Sequence, residues 1–228
     1  MLLGMVYFMS KGWDVQDPEQ EEFYVITILI AGIAAASYLS MFFGFGLTEV
    51  ELINGRVIDV YWARYADWLF TTPLLLLDLG LLAGASNRDI GALITIDAFM
   101  IVTGLAATLM KVPTARYAFW TISTIAMLFV LYYLVVVVGE AASSAGEGAE
   151  STFNTLRNLT VVLWTVYPIA WLIGTEGIGL VGLYSETLLF MVLDLSAKIG
   201  FGVILLRSRA IIGGGSAPTP SAEETAAD

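Results

Sequence analysis

The chain contains no cysteine and no histidine, and it has few charged residues. The lack of cysteine excludes disulfides, thiolate nucleophiles and cysteine-ligated metals. The lack of histidine removes the side chain that most often transfers protons near neutral pH, so any proton path must use carboxylates, lysine, arginine, tyrosine and water. Charged residues make up 14% of the chain, whereas a soluble domain normally carries about 25%.

Hydrophobic residues, in contrast, are abundant. They make up 58% of the chain, and the mean hydropathy is +0.81. The apolar residues form long runs without alternation, which indicates membrane-spanning helices and not the strands of a barrel. Ten basic and 21 acidic residues give a net charge of -11, which disfavours binding to nucleic acid. The sequence therefore predicts an all-α membrane protein embedded in a lipid bilayer.

The apolar runs predict a seven-transmembrane-helix bundle. All but one approach the roughly 20 residues that cross a bilayer. The exception, Met1–Met9, would cover only about 13.5 Å as a helix, so we expect a first helix truncated in its N-terminal half or an end that does not cross. The full runs are Phe23–Leu47, Tyr61–Ala83, Ile90–Leu109, Arg116–Val138, Leu156–Ile173 and Leu183–Leu206.

The connecting segments are short and polar. Ser86–Asp89 is typical of a polar turn with capping residues for the next helix. Gly139–Ser151, rich in small residues and glutamate, is predicted to be a mobile loop. Residues 1–212 are predicted to form one transmembrane domain, followed by a disordered acidic tail at residues 213–228.

The distribution of lysine and arginine favours a cytoplasmic C-terminus. In that orientation the cytoplasmic side carries more basic residues than the outer loops, as the positive-inside rule expects. The sequence therefore predicts a multi-pass protein of the cell membrane. The cytoplasmic set is Lys11, Arg88, Arg157, Arg207 and Arg209, and the outer set is Arg56, Lys111 and Arg116.

Several charged residues lie inside the apolar runs. A charge at the middle of a membrane costs at least about 2.5–3.5 kcal/mol, so such residues are expected to face the bundle interior and to serve function. We single out Arg64, Asp67 and Asp78 in the second full run, Asp97 in the third, and Asp194 and Lys198 in the last.

Asp67 and Asp78 are predicted to share one face of a helix. They are 11 residues apart, which places them about 20° apart around the helix and about 16.5 Å apart along it. Asp78 follows four leucines, which favours its protonated form, whereas cationic Arg64 and Lys198 favour an ionised Asp67. Unequal surroundings make one acid a proton donor and the other an acceptor. Static interhelical salt bridges or hydrogen bonds are the alternative.

Asp194 and Lys198 are four residues apart and meet on one helix face. One interpretation is a plain internal ion pair that needs no ligand. A desolvated lysine is also an amine nucleophile toward an aldehyde. The protonated Schiff base so formed would keep a positive charge, with Asp194 and Asp67 as its counter-ions.

Aromatic side chains recur at helical spacing on the helices that carry these charges. Such stripes are usually core packing, but here they favour an elongated apolar ligand pocket. Glu176 and Glu186 frame the loop before the last run, either as ordinary loop acids or as a proton exit group. The stripes are Trp164, Tyr167 and Trp171, and Trp120, Ser123 and Met127, while Trp68 adjoins Asp67.

Three segments resemble the haloarchaeal bacteriorhodopsins, a family of microbial rhodopsins. Arg64-Tyr65-Ala66-Asp67-Trp68-Leu69-Phe70-Thr71-Thr72-Pro73, continuing to Asp78, resembles their third helix. The segment from Glu186 to Lys198 resembles their retinal-binding seventh helix, and Trp164 to Trp171 resembles their sixth. The resemblance covers about residues 1–212 and implies a retinal-binding seven-helix domain.

The resemblance implies a role for each site residue. Lys198 would carry all-trans-retinal as a protonated Schiff base, Asp67 would accept its proton, and Asp78 would return one. Asp194 would be the second counter-ion. Proton release would involve Arg64, Glu176 and Glu186. Thr71 and Tyr38 would support the hydrogen-bond network, Thr27 would lie close to Asp78, and Asp97 would be a structural, hydrogen-bonding acid. The pocket would be lined by Trp68, Thr72, Met100, Trp120, Ser123, Met127, Trp164, Tyr167 and Trp171.

These features predict a light-driven outward proton pump, an ion transporter and not an enzyme. In the family, chloride pumps replace the acceptor acid and sensors generally lack the donor acid, whereas this chain has both Asp67 and Asp78. The alternatives are a retinal photosensor that signals to a membrane transducer, and a receptor or transporter without chromophore in which Lys198 and Asp194 form only a salt bridge. The resemblance also implies a homotrimer.

Overall fold

The computed structural model describes residues 1–214 and consists of seven helices and one β-hairpin. Six of these helices are long and apolar enough to cross a membrane, which confirms the predicted helical membrane fold. The elements are α1 Leu2–Gly12, α2 Pro18–Phe42, β1 Leu47–Glu51, β2 Val57–Tyr61, α3 Trp62–Leu82, α4 Asn87–Leu109, α5 Pro113–Ala142, α6 Glu147–Ile173 and α7 183–214.

The first full span lies closer to the N-terminus than predicted. Pro18 begins α2, and the Asp17 carboxylate caps it by accepting the backbone N–H of Glu19 at 3.1 Å. The helix ends at Phe42, just before Gly44 and Gly46 adopt positive φ. The predicted span Phe23–Leu47 was therefore wrong at both ends.

The β-hairpin between α2 and α3 was not predicted. β1 and β2 pair antiparallel, with Leu47 opposite Tyr61 and Glu51 opposite Val57. Their inner side chains form a small separate core. The predicted spans ended at Leu47 and began at Tyr61, so the rest of both strands was left as a connection without secondary structure.

The predicted mobile loop Gly139–Ser151 was wrong in extent. α5 continues through Ala142 and α6 begins at Glu147, which leaves only four residues between them. The predicted capping of α4 is confirmed, since Ser86 accepts the N–H of Asp89 at 3.2 Å, but the helix begins at Asn87, so the predicted turn Ser86–Asp89 was too long. The predicted tail begins at residue 213; residues 213 and 214 end α7, and residues 215–228 lie outside the described part of the chain.

The six charged residues singled out from the apolar runs are all buried inside the bundle. None of their side chains is more than 2% exposed, which confirms the orientation expected from the cost of charge in a bilayer. The buried set is Arg64, Asp67, Asp78, Asp97, Asp194 and Lys198.

Candidate functional site

Lys198 lies in the middle of the bundle between two carboxylates. Its Nζ donates a hydrogen bond to Asp67 Oδ2 and is 3.5 Å from Asp194 Oδ1. α3 supplies Asp67, and α7 supplies both other residues. The α7 backbone around the lysine forms a π-helical turn at Leu195–Gly200, a local widening that is frequent at functional sites.

Asp194 is held by three neutral donors in addition to the lysine. Tyr38 donates to its Oδ2 at 2.7 Å, and Tyr167 and Trp68 donate to its Oδ1 at 2.8 and 3.1 Å. This places Tyr38 in the hydrogen-bond network, as predicted. Together these contacts fix the position and orientation of the Asp194 carboxyl group beside the lysine.

Asp67 has fewer partners than Asp194. Its Oδ2 binds Lys198, while its Oδ1 is buried and has no hydrogen-bond partner in the described residues. Thr71, one turn further along α3, donates to the Asp67 backbone carbonyl at 2.9 Å. The acid closest to the amine therefore keeps free acceptor capacity.

A cavity borders Lys198 and is lined by residues of α3, α4, α5, α6 and α7. All the side chains that the sequence analysis assigned to the ligand pocket line it. Trp120 and Trp171 are stacked at one wall with ring centroids 6.2 Å apart. The lining includes Trp68, Thr72, Met100, Trp120, Ser123, Met127, Trp164, Tyr167, Trp171 and Lys198, together with Tyr65, Leu75, Gly104, Pro168 and Phe190, which the sequence analysis did not select.

The lining fits a long apolar group with an aldehyde end, such as retinal. Its walls are mostly aromatic and aliphatic, and a buried primary amine stands in it. Gly104 keeps one wall open, because a Cβ there would lie 3.2 Å from Ser123 Oγ and 3.6 Å from the Tyr65 ring. Ser123 is itself held by donation to the Met100 carbonyl at 2.8 Å. The cavity thus has a preformed shape and one nucleophile.

Two further acids lie on the helices around the cavity. Asp78 is fully buried on α3. Asp97 on α4 is also fully buried, and its Oδ2 lies 2.8 Å from Thr72 Oγ1 on α3. Asp97 therefore joins two helices, which agrees with its predicted structural role.

Arg64 on α3 contacts residues in the first turns of α7. Its guanidinium is 3.7 Å from Glu186 Oε1 and lies 4.2 Å from the centroid of the Phe190 ring. Glu186 Oε2 also accepts the N–H and the hydroxyl of Thr175, at 2.6 and 2.7 Å. Arg64 and Glu186 are thus brought together in a buried cluster.

Glu176 lies in the same region and is bound by hydroxyl groups. Its Oε2 accepts from Tyr65 at 2.9 Å and from Thr108 at 3.3 Å. Burial raises the pKa of Glu176 from an ordinary 4.5 to about 7, against the opposing attraction of Arg64. At neutral pH this carboxyl is therefore close to its titration midpoint.

The sequence analysis missed the groups that hold Glu176. Arg116 was assigned to an outer loop, but it lies in α5, is 2% exposed, and donates to the Glu176 carbonyl at 2.7 Å. Thr108 and Tyr65 are neutral and stand out in no charge pattern. Only the position of Arg116 at the start of an apolar run offered a signal.

The fold and the site together define a seven-helix membrane protein with a buried, doubly paired lysine at a ligand cavity. The chain belongs to the bacteriorhodopsin-like protein family, which matches residues 1–212. It is 87% identical over 223 residues to Bacteriorhodopsin-II of Haloarcula marismortui, covering 98% of this chain and 89% of that relative.

Solved structures share the same fold. The thermophilic rhodopsin from Rubrobacter xylanophilus is 48% identical, with a TM-score of 0.86 and 94% coverage of both chains. Halorhodopsin, described as a light-driven chloride pump, is 35% identical, with a TM-score of 0.88 and coverage of 93% of this chain and 91% of that chain. Since a chloride pump has this fold as well, the site and not the helix arrangement must identify the transported ion.

Proposed function

We propose that the protein is a light-driven outward proton pump with all-trans-retinal bound covalently to Lys198. The observation that carries this proposal is the position of Lys198 Nζ, which contacts Asp67, lies beside Asp194 and borders the aromatic cavity. The family and the relative at 87% identity, named a bacteriorhodopsin, support the same function.

The two carboxylates at Lys198, Asp67 and Asp194, have different roles. When bound as a Schiff base, retinal supplies visible absorption and a light-driven change in the proton affinity of Nζ. Asp67 is the acceptor of that proton, because it touches Nζ and has an oxygen without a partner. Asp194 remains the counter-ion, because its three other donors stabilise its charge.

Asp78 returns a proton to Lys198 from the opposite side. It shares a helix face with Asp67 at a distance of about 16.5 Å along α3, too far for direct transfer. Lys198 and water must therefore bridge the two acids. Pro168 in α6 interrupts the helix hydrogen bonding beside the cavity, and we assign to this helix the movement that admits water to the inner half.

Release to the outside runs through Arg64, Glu186 and Glu176. Arg64 lies one turn before Asp67 on α3 and contacts Glu186. A proton on Asp67 removes a negative charge near Arg64, so the positive charge of Arg64 then favours ionisation of the outer acids more strongly. Glu176, with a pKa of about 7, is suited to releasing a proton near neutral pH.

The two acids on α3 favour a proton as the cargo. A chloride pump needs a neutral residue where Asp67 stands, because a fixed negative charge there would repel the anion. A sensor has no need for an internal donor such as Asp78. The fold alone does not distinguish a proton pump from a chloride pump or a sensor, whereas the carboxylates Asp67 and Asp78 do.

We also propose a cytoplasmic C-terminus and a homotrimeric assembly. Arg56 donates to the carbonyls of Thr175 and Gly177, and Arg116 donates to that of Glu176. These contacts place two of the three basic residues assigned to the outer side, Arg56 and Arg116, around one loop. The smaller number of basic residues on that side supports an outside location. The trimer rests on family resemblance.

Illumination of unbuffered cells tests the pump. Cells that express the protein with added all-trans-retinal should become coloured and acidify the medium in light, and a protonophore should abolish the acidification. Lys198→Ala should remove the colour, whereas Asp67→Asn should keep the colour and lose the acidification. Colour without any pH change in the unmodified protein would indicate a sensor, and a folded protein without a visible band would refute retinal binding.

A further inference from the structure

The hydroxyl group of Thr108 lies at the centre of a buried network between the cavity and Glu176. Thr108 is fully buried near the end of α4. Its Oγ1 is 2.6 Å from the Tyr65 hydroxyl, 2.9 Å from Trp171 Nε1 and 3.3 Å from Glu176 Oε2. One oxygen thus contacts groups from α3, α6 and the loop before α7.

The donors and acceptors allow only a few arrangements of protons. The indole N–H of Trp171 can only donate, so Thr108 Oγ1 accepts from it. The single proton of Thr108 then goes to Tyr65 or to Glu176. When Glu176 is ionised, a chain of donors runs from Trp171 through Thr108 and Tyr65 to the carboxylate. When Glu176 is protonated, its carboxyl group donates to the Tyr65 hydroxyl and Tyr65 donates to Thr108, so these two hydrogen bonds change direction.

Arg116 fixes the backbone on both sides of the network. It donates to the Thr108 carbonyl at 2.6 Å and to the Glu176 carbonyl at 2.7 Å. Because one buried guanidinium holds both residues, the hydroxyl and the carboxyl keep their separation. The network is therefore preorganised for short proton movements.

We propose that Thr108 is a positioning residue that joins Tyr65 and Glu176 into one proton-sharing unit and couples this unit to Trp171 in the cavity wall. The inference rests on the proposed function, in which Glu176 takes part in outward release. Trp171 stacks on Trp120, and both line the cavity. The protonation of Glu176 is in this way connected to the site of the chromophore.

Thr108→Val removes the hydroxyl group without changing any charge, so it isolates the effect of this hydroxyl on the proton affinity of Glu176. The charged groups around Glu176 set its proton affinity and stay in place. The lost donor had stabilised the ionised carboxylate, so its removal should raise the pKa of Glu176. The titratable and charged groups that face Glu176 are Arg64 and Tyr65 from α3, Arg116 from α5 and Glu186 from α7, while Arg56 binds the adjoining loop carbonyls.

The test is the pH dependence of light-induced proton release from purified pigment, followed with a pH-indicator dye. Thr108→Val should raise the midpoint of early release by about one pH unit, equivalent to roughly tenfold in proton affinity. Thr108→Ser should restore the original midpoint. Thr103→Val is the matched control, because the buried Thr103 hydroxyl binds only carbonyls of its own helix, and it should leave the midpoint unchanged.

Glu176→Gln separates failure of this inference from failure of the proposed release path. If Glu176→Gln removes the release titration while Thr108→Val leaves the midpoint unchanged, the role of Thr108 is overturned and that of Glu176 stands. If Glu176→Gln leaves the titration unchanged, both roles are overturned.

A vibrational measurement keeps the inference testable even if Thr108→Val forms no pigment. The indole N–H band of Trp171, identified by its loss in Trp171→Phe, should report a changed hydrogen bond in Glu176→Gln. An unchanged Trp171 band in Glu176→Gln would overturn the coupling.

Discussion

At the scale of single residues, the two carboxylates at Lys198 differ in their hydrogen bonds and not in their chemical type. Asp194 accepts from Tyr38, Trp68 and Tyr167, whereas Asp67 keeps a buried oxygen without a partner in the described residues. Donors of fixed geometry lower the free energy of an anion. We propose that this difference makes Asp194 the lasting counter-ion and Asp67 the proton acceptor.

Substitution of Asp78 tests the proton donor. Asp78→Asn should slow the return of the proton to Lys198 by about 100-fold, because a positioned acid contributes this order of magnitude to proton transfer. Added azide, a small weak acid, should restore the rate. The measurement is the decay of the deprotonated pigment after a flash. Asp97→Asn is the matched control and should decay normally; failure of azide to rescue Asp78→Asn would contradict the assignment.

Asp97 is expected to act through a hydrogen bond. Thr72 Oγ1 lies 2.8 Å from both the Trp68 carbonyl and Asp97 Oδ2, but it has one proton. A proton on Asp97 completes the second bond. Asp97→Asn supplies an amide donor and should lower the free energy of unfolding by less than about 1 kcal/mol. Asp97→Ala supplies no donor and should lower it by about 1–3 kcal/mol. Unfolding midpoints measure both, and equal losses would contradict the explanation.

The sequence indicated the charged residues at Lys198 and the lining of the cavity, but not the groups that hold Glu176. Lys198, Asp67, Asp78 and Asp194 stand out because charge is costly in an apolar helix. Thr108 carries no such signal, since a threonine in a membrane helix usually binds the carbonyl one turn before it. Its role depends on which helices meet, and that is decided by packing across the bundle.

At the scale of elements, the helices were predictable and their ends were less so. Long apolar runs identified each span, because the bilayer fixes the required length. The sequence did not show that Val57–Tyr61 pairs with Leu47–Glu51, because a strand needs a partner that a local pattern does not reveal. The small residues around Gly139 resembled a loop, yet α5 continues through them.

The close approach of α6 and α7 requires glycine at position 174. A Cβ on Gly174 would lie 2.6 Å from Glu186 Oε2 and 2.8 Å from the Ala170 carbonyl. Gly174→Ala should therefore destabilise the protein by about 1–3 kcal/mol and disturb proton release through Glu186. Unfolding in detergent and the dye assay measure the two effects.

Gly182→Ala is the matched control in the same loop. Gly174 and Gly182 have similar φ angles of -75° and -73°, both open to alanine, but a Cβ at 182 meets nothing within 4 Å. The free energy of unfolding of Gly182→Ala should differ from that of the unmodified protein by less than about 0.5 kcal/mol. Equal losses in the two variants would show that the contact with Glu186 is not the cause.

At the scale of the whole molecule, burial of Glu176 makes stability depend on pH. Its pKa rises from 4.5 to about 7 on folding, so the folded state binds the proton more tightly. The resulting stabilisation is complete below pH 4.5 and is lost as the pH rises through 7. It amounts to roughly 3 kcal/mol.

Glu176→Gln should remove this part of the pH dependence and should be the more stable protein above pH 7. Unfolding midpoints on either side of that pH measure the effect. Glu140→Gln, at an exposed position of α5, is the control and should follow the unmodified protein. A parallel pH dependence in Glu176→Gln and the unmodified protein would show that another group is responsible.

The central claim is that one proton path crosses the molecule from Asp78, through Lys198, to Asp67. Time-resolved infrared spectroscopy of the carboxyl C=O bands follows both acids during one photocycle. We predict that a band of protonated Asp67 appears first and is absent in Asp67→Asn. The band of Asp78 should then disappear transiently, and this signal should be absent in Asp78→Asn. Proton release without any change at these two carboxyl bands would contradict the account.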